Sequence, residues 1–125
     1  MKTELIQAIR DLAAKYPNGL YQRPSNNPAT QCSYIKGIVK DGPETCGCIV
    51  GQALRIVDPN IQPLLFRYPT KSSTDLFQEN YPGFDEILAD LKAIDWIGDV
   101  QKNQDNELTW SECVRLADAA FPLGW

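Results

Sequence analysis

The apolar positions of residues 4–16 fall on one stripe. Leu5, Ile6, Ile9, Leu12, Ala13 and Tyr16 recur at the three-to-four-residue period of an amphipathic helix. Thr3 is placed to cap that helix, and Pro17-Asn18-Gly19 to end it. A second helical pattern runs from about Cys46 to Val57 behind Thr45 as cap. Ile49, Ala53, Ile56 and Val57 mark one face and Cys46, Val50 and Leu54 the next. So wide an apolar arc predicts a central, mostly buried helix. Gly47 and Gly51 lie four apart within the pattern, and each costs a helix about 1 kcal/mol relative to alanine. Close approach of another backbone would explain that cost. Phe84, Ile87, Leu88, Leu91, Ile94, Ile97 and Val100 continue at helical spacing and predict a long helix over 84–102. In the last element, Thr109-Trp110-Ser111-Glu112 reads as a capping box, followed by a stripe of Trp110, Cys113, Val114, Ala117 and Phe121.

Between these elements the pattern is weaker. Residues 17–31 are polar and turn-rich, with an extended piece at Leu20-Tyr21-Gln22. Residues 32–40 are β-prone, interrupted by Gly37 and closed by Asp41-Gly42-Pro43. Ile61, Leu64, Leu65 and Phe66 fit one short helical turn, and Ser72 or Ser73 can cap a brief helix through Leu76-Phe77. The predicted fold is mainly α: a single small helical domain over residues 1–125, with four or five helices and a short β-hairpin or extended segment near residues 20–40. Its predicted core is Ile6, Ile9, Leu12, Ile49, Ala53, Leu54, Leu88, Leu91, Trp110, Val114 and Ala117.

Composition narrows the function classes. The 125 residues are 43% hydrophobic and 22% charged, ordinary for a globular domain and incompatible with wholesale disorder. No apolar run approaches the roughly 18 residues of a membrane span. The chain has no histidine, which excludes His-based acid–base catalysis, Cys–His and Ser–His nucleophiles and His metal ligands. Residues 1–16 lack the apolar core and cleavage site of a signal peptide, so the expected setting is a cytoplasm, where the thiols of Cys32, Cys46, Cys48 and Cys113 stay reduced. Charge is unevenly spread within the overall net of −4: residues 75–112 carry ten acidic side chains against Lys92 and Lys102. That half repels phosphate and speaks against direct nucleic-acid binding.

Three constellations bear chemistry. Cys46 and Cys48, with Cys32 as a third member, are candidates for a thiol metal site or a redox pair. On a helix, however, residues two apart diverge, and buried cysteine is the commoner use. Read as a twelve-residue calcium loop, Gln101–Glu112 offers Asn103, Asp105, Glu107 and Glu112, but it lacks the first aspartate and the central glycine. The pairs Glu86/Asp90 and Asp95/Asp99 lie four apart, each on one helix face, as solvated acids usually do. Trp125, at the end of the chain, is the tryptophan best placed to serve as an exposed anchor.

Cys32-Ser-Tyr34, Asp41-Gly42-Pro43 leading to Cys48-Ile49-Val50-Gly51-Gln52-Ala53-Leu54, and Val100-Gln101 followed by Gln104-Asp105 and Thr109-Trp110 form an ordered set. In this the chain resembles small uncharacterised proteins of actinobacteria and their phages, over about two thirds of its length. Cys46-Gly47 and Asn106-Glu107 depart from that pattern. The resemblance implies a helical domain in a phage or mobile-element setting and carries no known activity, cofactor or catalytic residue. The expected function is a non-enzymatic acidic interaction protein, a phage-encoded modulator binding a host protein through Asp85, Glu86, Asp90, Asp95, Asp99 and Trp125. The alternative is the thiol-based protein using Cys46 and Cys48.

Overall fold

The computed structural model describes residues 1–24 and 33–124. The described elements are α1 (Lys2–Lys15), β1 (Leu20–Gln22), β2 (Ile38–Lys40), α2 (Ile49–Val57), a 3-10 turn (Pro59–Ile61), α3 (Gln62–Arg67), α4 (Ser73–Leu76), α5 (Phe84–Leu88), α6 (Leu91–Asp105) and α7 (Trp110–Ala120). The protein is mainly helical with a short antiparallel β-hairpin, as its pattern predicts. Tyr21 pairs with Val39 at the centre of the two strands, and both are buried. Gly37, at φ +93°, ends the β-prone stretch on its N-terminal side and confines the strand to three residues. No helix among the described residues is long and apolar enough to cross a membrane.

The core forms where α1, α2, α6 and α7 meet: α6 packs on α7, and α1 packs on both α2 and α7. Leu5, Ile6 and Ile9 of α1, Ile49, Val50 and Leu54 of α2, Trp96 and Val100 of α6, and Trp110 and Ala117 of α7 are inaccessible to solvent. Gly51 lets α2 touch the Tyr34 backbone, the close approach its sequence position suggested. The glycine pair is not wholly helical, though. α2 starts at Ile49, with Cys48 rather than Thr45 as its N-cap, and Gly47 precedes it at φ +109°. Thr3 likewise lies inside α1, whose N-cap position is Met1.

The predicted 84–102 helix is two helices. Asp90 leaves helical geometry (φ −124°, ψ 98°) and its carboxylate accepts the Ala93 N–H at 3.2 Å, so a new helix begins at Leu91. This restart changes the phase of the apolar stripe. Leu88 and Leu91, predicted as core, are 38% and 74% exposed, while Ala93, Trp96, Ile97 and Val100 point inward. The capping box also fails to form. Thr109 occupies the N-cap position of α7 without a side-chain cap bond, and the Glu112 carboxylate turns to Arg115 instead.

One polar cluster ties three helices together. Arg10 of α1 donates two hydrogen bonds to Asp118 of α7, at 2.8 and 2.7 Å. The Trp96 indole N–H of α6 donates to the same carboxylate at 2.9 Å, and the Arg10 guanidinium lies 5.0 Å from a Trp96 ring centroid. The Arg10 hydrogen bonds, helped by that of Trp96, hold the Asp118 carboxyl below its ordinary pKa against the opposing effect of burial. A carboxyl depressed in the folded state binds its proton more readily once unfolded. Its stabilisation is complete above the unfolded value of about 4 and is lost as pH falls through the lower folded value. Thermal melts from pH 7 to pH 2 should therefore show falling stability below about pH 4. Asp118→Asn should be less stable at neutral pH and lose part of that acid sensitivity.

Candidate functional site

The acidic face is built at the junction of α5 and α6. Asp85 and Glu86 sit in the first turn of α5, where carboxylates suit the helix dipole, and Asp90 caps α6. Two of the predicted binding residues are held by the chain itself. Glu86 accepts the Lys2 backbone N–H at 2.6 Å and the N-terminal ammonium at 3.1 Å, and these bonds lower its pKa in that order. The Asp90 pKa is lowered first by the Ala93 N–H and then by Lys2, whose Nζ lies 3.1 Å from its carboxylate. Asp85 and Asp95 are exposed, and their carboxylates make no hydrogen bond or ion pair among the described residues. Asp99, half-buried one turn further along α6, accepts from the Asn103 amide at 3.1 Å. Trp125 lies outside the described residues.

Between these carboxylates stand Leu88 and Leu91, which sequence reasoning placed in the core. One signal for their exposure was present: Asp90 lies three residues before Ala93, the spacing of an N-cap that resets a helix. Two exposed leucines thus lie, in chain order, between Asp85 and Asp95, with Glu86 and Asp90 in the same segment.

The other candidate chemistries disperse. Cys48 is fully buried as the α2 N-cap, its sulfur 3.5 Å from the Gly51 N–H, whereas Cys46 is exposed. The later start of α2 removes the helical divergence expected of this pair, yet both remain free thiols. Cys113 is buried on the inner side of α7, and desolvation pushes its pKa up to about 12, which suppresses thiolate chemistry at neutral pH. Cys32 lies outside the described residues, and among those described no three cysteine or acidic side chains are grouped to hold a metal.

The calcium loop is replaced by helix, because α6 runs through Asp105. Gln101 accepts the Ser73 N–H at 2.9 Å, Asn103 donates to the Cys113 carbonyl at 3.3 Å, and Glu112 pairs with Arg115. Gln101 and Asn103 thereby tie α6 to α4 and α7, while Glu112 is engaged within α7. Gln104 ties α6 to α2 and α7 at the centre of the molecule. Its Oε1 accepts both the Ile49 N–H at 2.9 Å and the Trp110 indole N–H at 3.1 Å.

No family model, curated protein or solved structure matches the chain. The α5–α6 surface is therefore interpreted from its own chemistry.

Proposed function

We propose that this chain is a non-enzymatic interaction protein whose α5–α6 face docks a basic, amphipathic segment of a protein partner. The observation that carries the proposal is Leu91, 74% exposed at the start of α6 between free acidic side chains. A leucine in that position gives a partner helix an apolar contact, while Asp85 and Asp95 select lysine or arginine around it and steer its approach. Glu86 and Asp90, tied to the N-terminus and Lys2, shape the surface more than they supply free charge. The motif resemblance adds the setting: a phage-encoded modulator of a host protein.

The test uses a labelled synthetic helix with one lysine face and one leucine face, and a control in which serine replaces each leucine. Fluorescence anisotropy should show tighter binding of the Lys/Leu helix, weakening as salt rises. Leu91→Ala, which removes an exposed contact, should weaken it by roughly tenfold. Asp85→Asn with Asp95→Asn should flatten the salt dependence. Equal binding of the two peptides, or affinity indifferent to salt and to Leu91→Ala, would contradict the proposal.

A further inference from the structure

A concave surface lies on the face formed by α1 and α2. It follows α1 from Thr3 to Tyr16, a length of about 20 Å at 1.5 Å per residue, and encloses about 970 Å³. That volume is at the upper end of the range for small-molecule sites. Ala8 and Leu12 of α1 and Ile56 of α2 supply apolar wall, and Ile56 is 61% exposed there.

Arg55 stands on the same wall. Its Nε donates to the Gly51 carbonyl at 3.1 Å and its Nη2 to the carbonyls of Tyr34, at 3.0 Å, and Cys46. Among the described residues no carboxylate pairs with it and its Nη1 makes no hydrogen bond. A half-buried guanidinium held only by carbonyl oxygens keeps its full charge without a counter-ion, an arrangement that an incoming anion relieves. Lys15 adds a second cation, with its Nζ 5.5 Å from the centroid of the Tyr16 ring and no acidic partner among the described residues. The acids on the α1 wall are engaged: Glu4 pairs with the N-terminal ammonium at 2.7 Å, and Asp11 accepts from the Gln7 amide at 2.9 Å. They still disfavour a ligand bearing many negative charges.

We infer that the groove binds a small amphiphile with a single anionic head, the head at Arg55 and an acyl-like body along Ala8, Leu12 and Ile56. A twelve-carbon chain is shorter than the groove. This inference is independent of the α5–α6 docking face.

Calorimetric titration of the full chain with dodecanoate, dodecyl phosphate and dodecanol, all below micellar concentration, tests it. At least one anion should bind about tenfold more tightly than dodecanol, the scale of a charge-assisted hydrogen bond. Preference for one anion identifies the head as carboxylate or phosphate. Arg55→Gln should weaken anion binding at least tenfold. Because Arg55 also anchors the Tyr34 and Cys46 carbonyls, Ile56→Asp is the cleaner variant. It changes an exposed side chain, should preserve the melting temperature, and should weaken anion binding by a similar factor, while Leu91→Ala should leave it unchanged. Dodecanol binding as tightly as both anions, no binding of either anion, or full anion binding by a folded Ile56→Asp variant would overturn the inference.

Discussion

Gly51→Ala should destabilise the protein by about 3 kcal/mol, at the upper end of the usual cost of overpacking a core. Two effects oppose each other at this position. Alanine favours a helix over glycine by about 1 kcal/mol, so on propensity alone the variant would be more stable. A Cβ at residue 51, however, would lie 2.2 Å from the Tyr34 carbonyl oxygen and 2.6 Å from its Cα. Both atoms are backbone and cannot rotate away. Tyr34 is itself fully buried, and its carbonyl accepts from Arg55, so relief requires moving α2 or the segment after residue 33. The clash therefore outweighs the propensity gain. Urea denaturation should show a lower midpoint at nearly unchanged slope. An unchanged or higher midpoint would mean that α2 and Tyr34 are not in backbone contact.

Gln104→Met should cost a similar amount, about 3 kcal/mol, by a different route. The side chain keeps its volume but loses the oxygen that joins the start of α2 to the start of α7. The Ile49 N–H is one of the four donors that a helix N-terminus leaves without an internal partner, and the Trp110 indole N–H is buried. Each buried donor left unsatisfied costs about 1–3 kcal/mol. Because both donors require the oxygen at one place, the amide orientation is forced, and its Nε2 is left buried without a hydrogen bond among the described residues. That unmade bond already lowers the native stability, which holds the expected net loss near the lower part of the two-donor sum. Trp110 fluorescence should report the change during denaturation, and a variant as stable as the parent would show that the bridge contributes nothing.

These two positions show what the residue pattern reveals and what it hides. Local periodicity was enough to place α1, the central helix α2 and the last helix, and to predict Trp110, Leu54 and Ile9 as core. It also read Leu20–Gln22 as extended, a short helical turn from Ile61, and a brief helix through Leu76-Phe77 capped by Ser72 or Ser73, of which Ser72 is the cap. Each of these depends on neighbours within a few residues. Other outcomes were decided by competition between local and distant partners. Asp90 works as a cap in place of continuing the helix, which sends Leu88 and Leu91 to the surface. Glu112 takes Arg115 in place of the Thr109 box. Gln101, Asn103 and Gln104 resembled a polar connector or cation loop because spacing alone cannot show that Ser73, Cys113, Ile49 and Trp110 converge on them. Of the acidic face, the composition and rough location were legible in the sequence. The exposure of the apolar pair within it was signalled only by the capping residue type of Asp90, since it follows from a phase change that a continuous stripe conceals.

A nitrogen-15 NMR titration of the intact chain with the Lys/Leu helix tests whether the α5–α6 face is the docking surface. The largest amide shifts should cluster at residues 85–95, shrink as salt rises, and fade with Leu91→Ala. Shifts centred elsewhere, or spread evenly over every acidic segment of the chain, would contradict it.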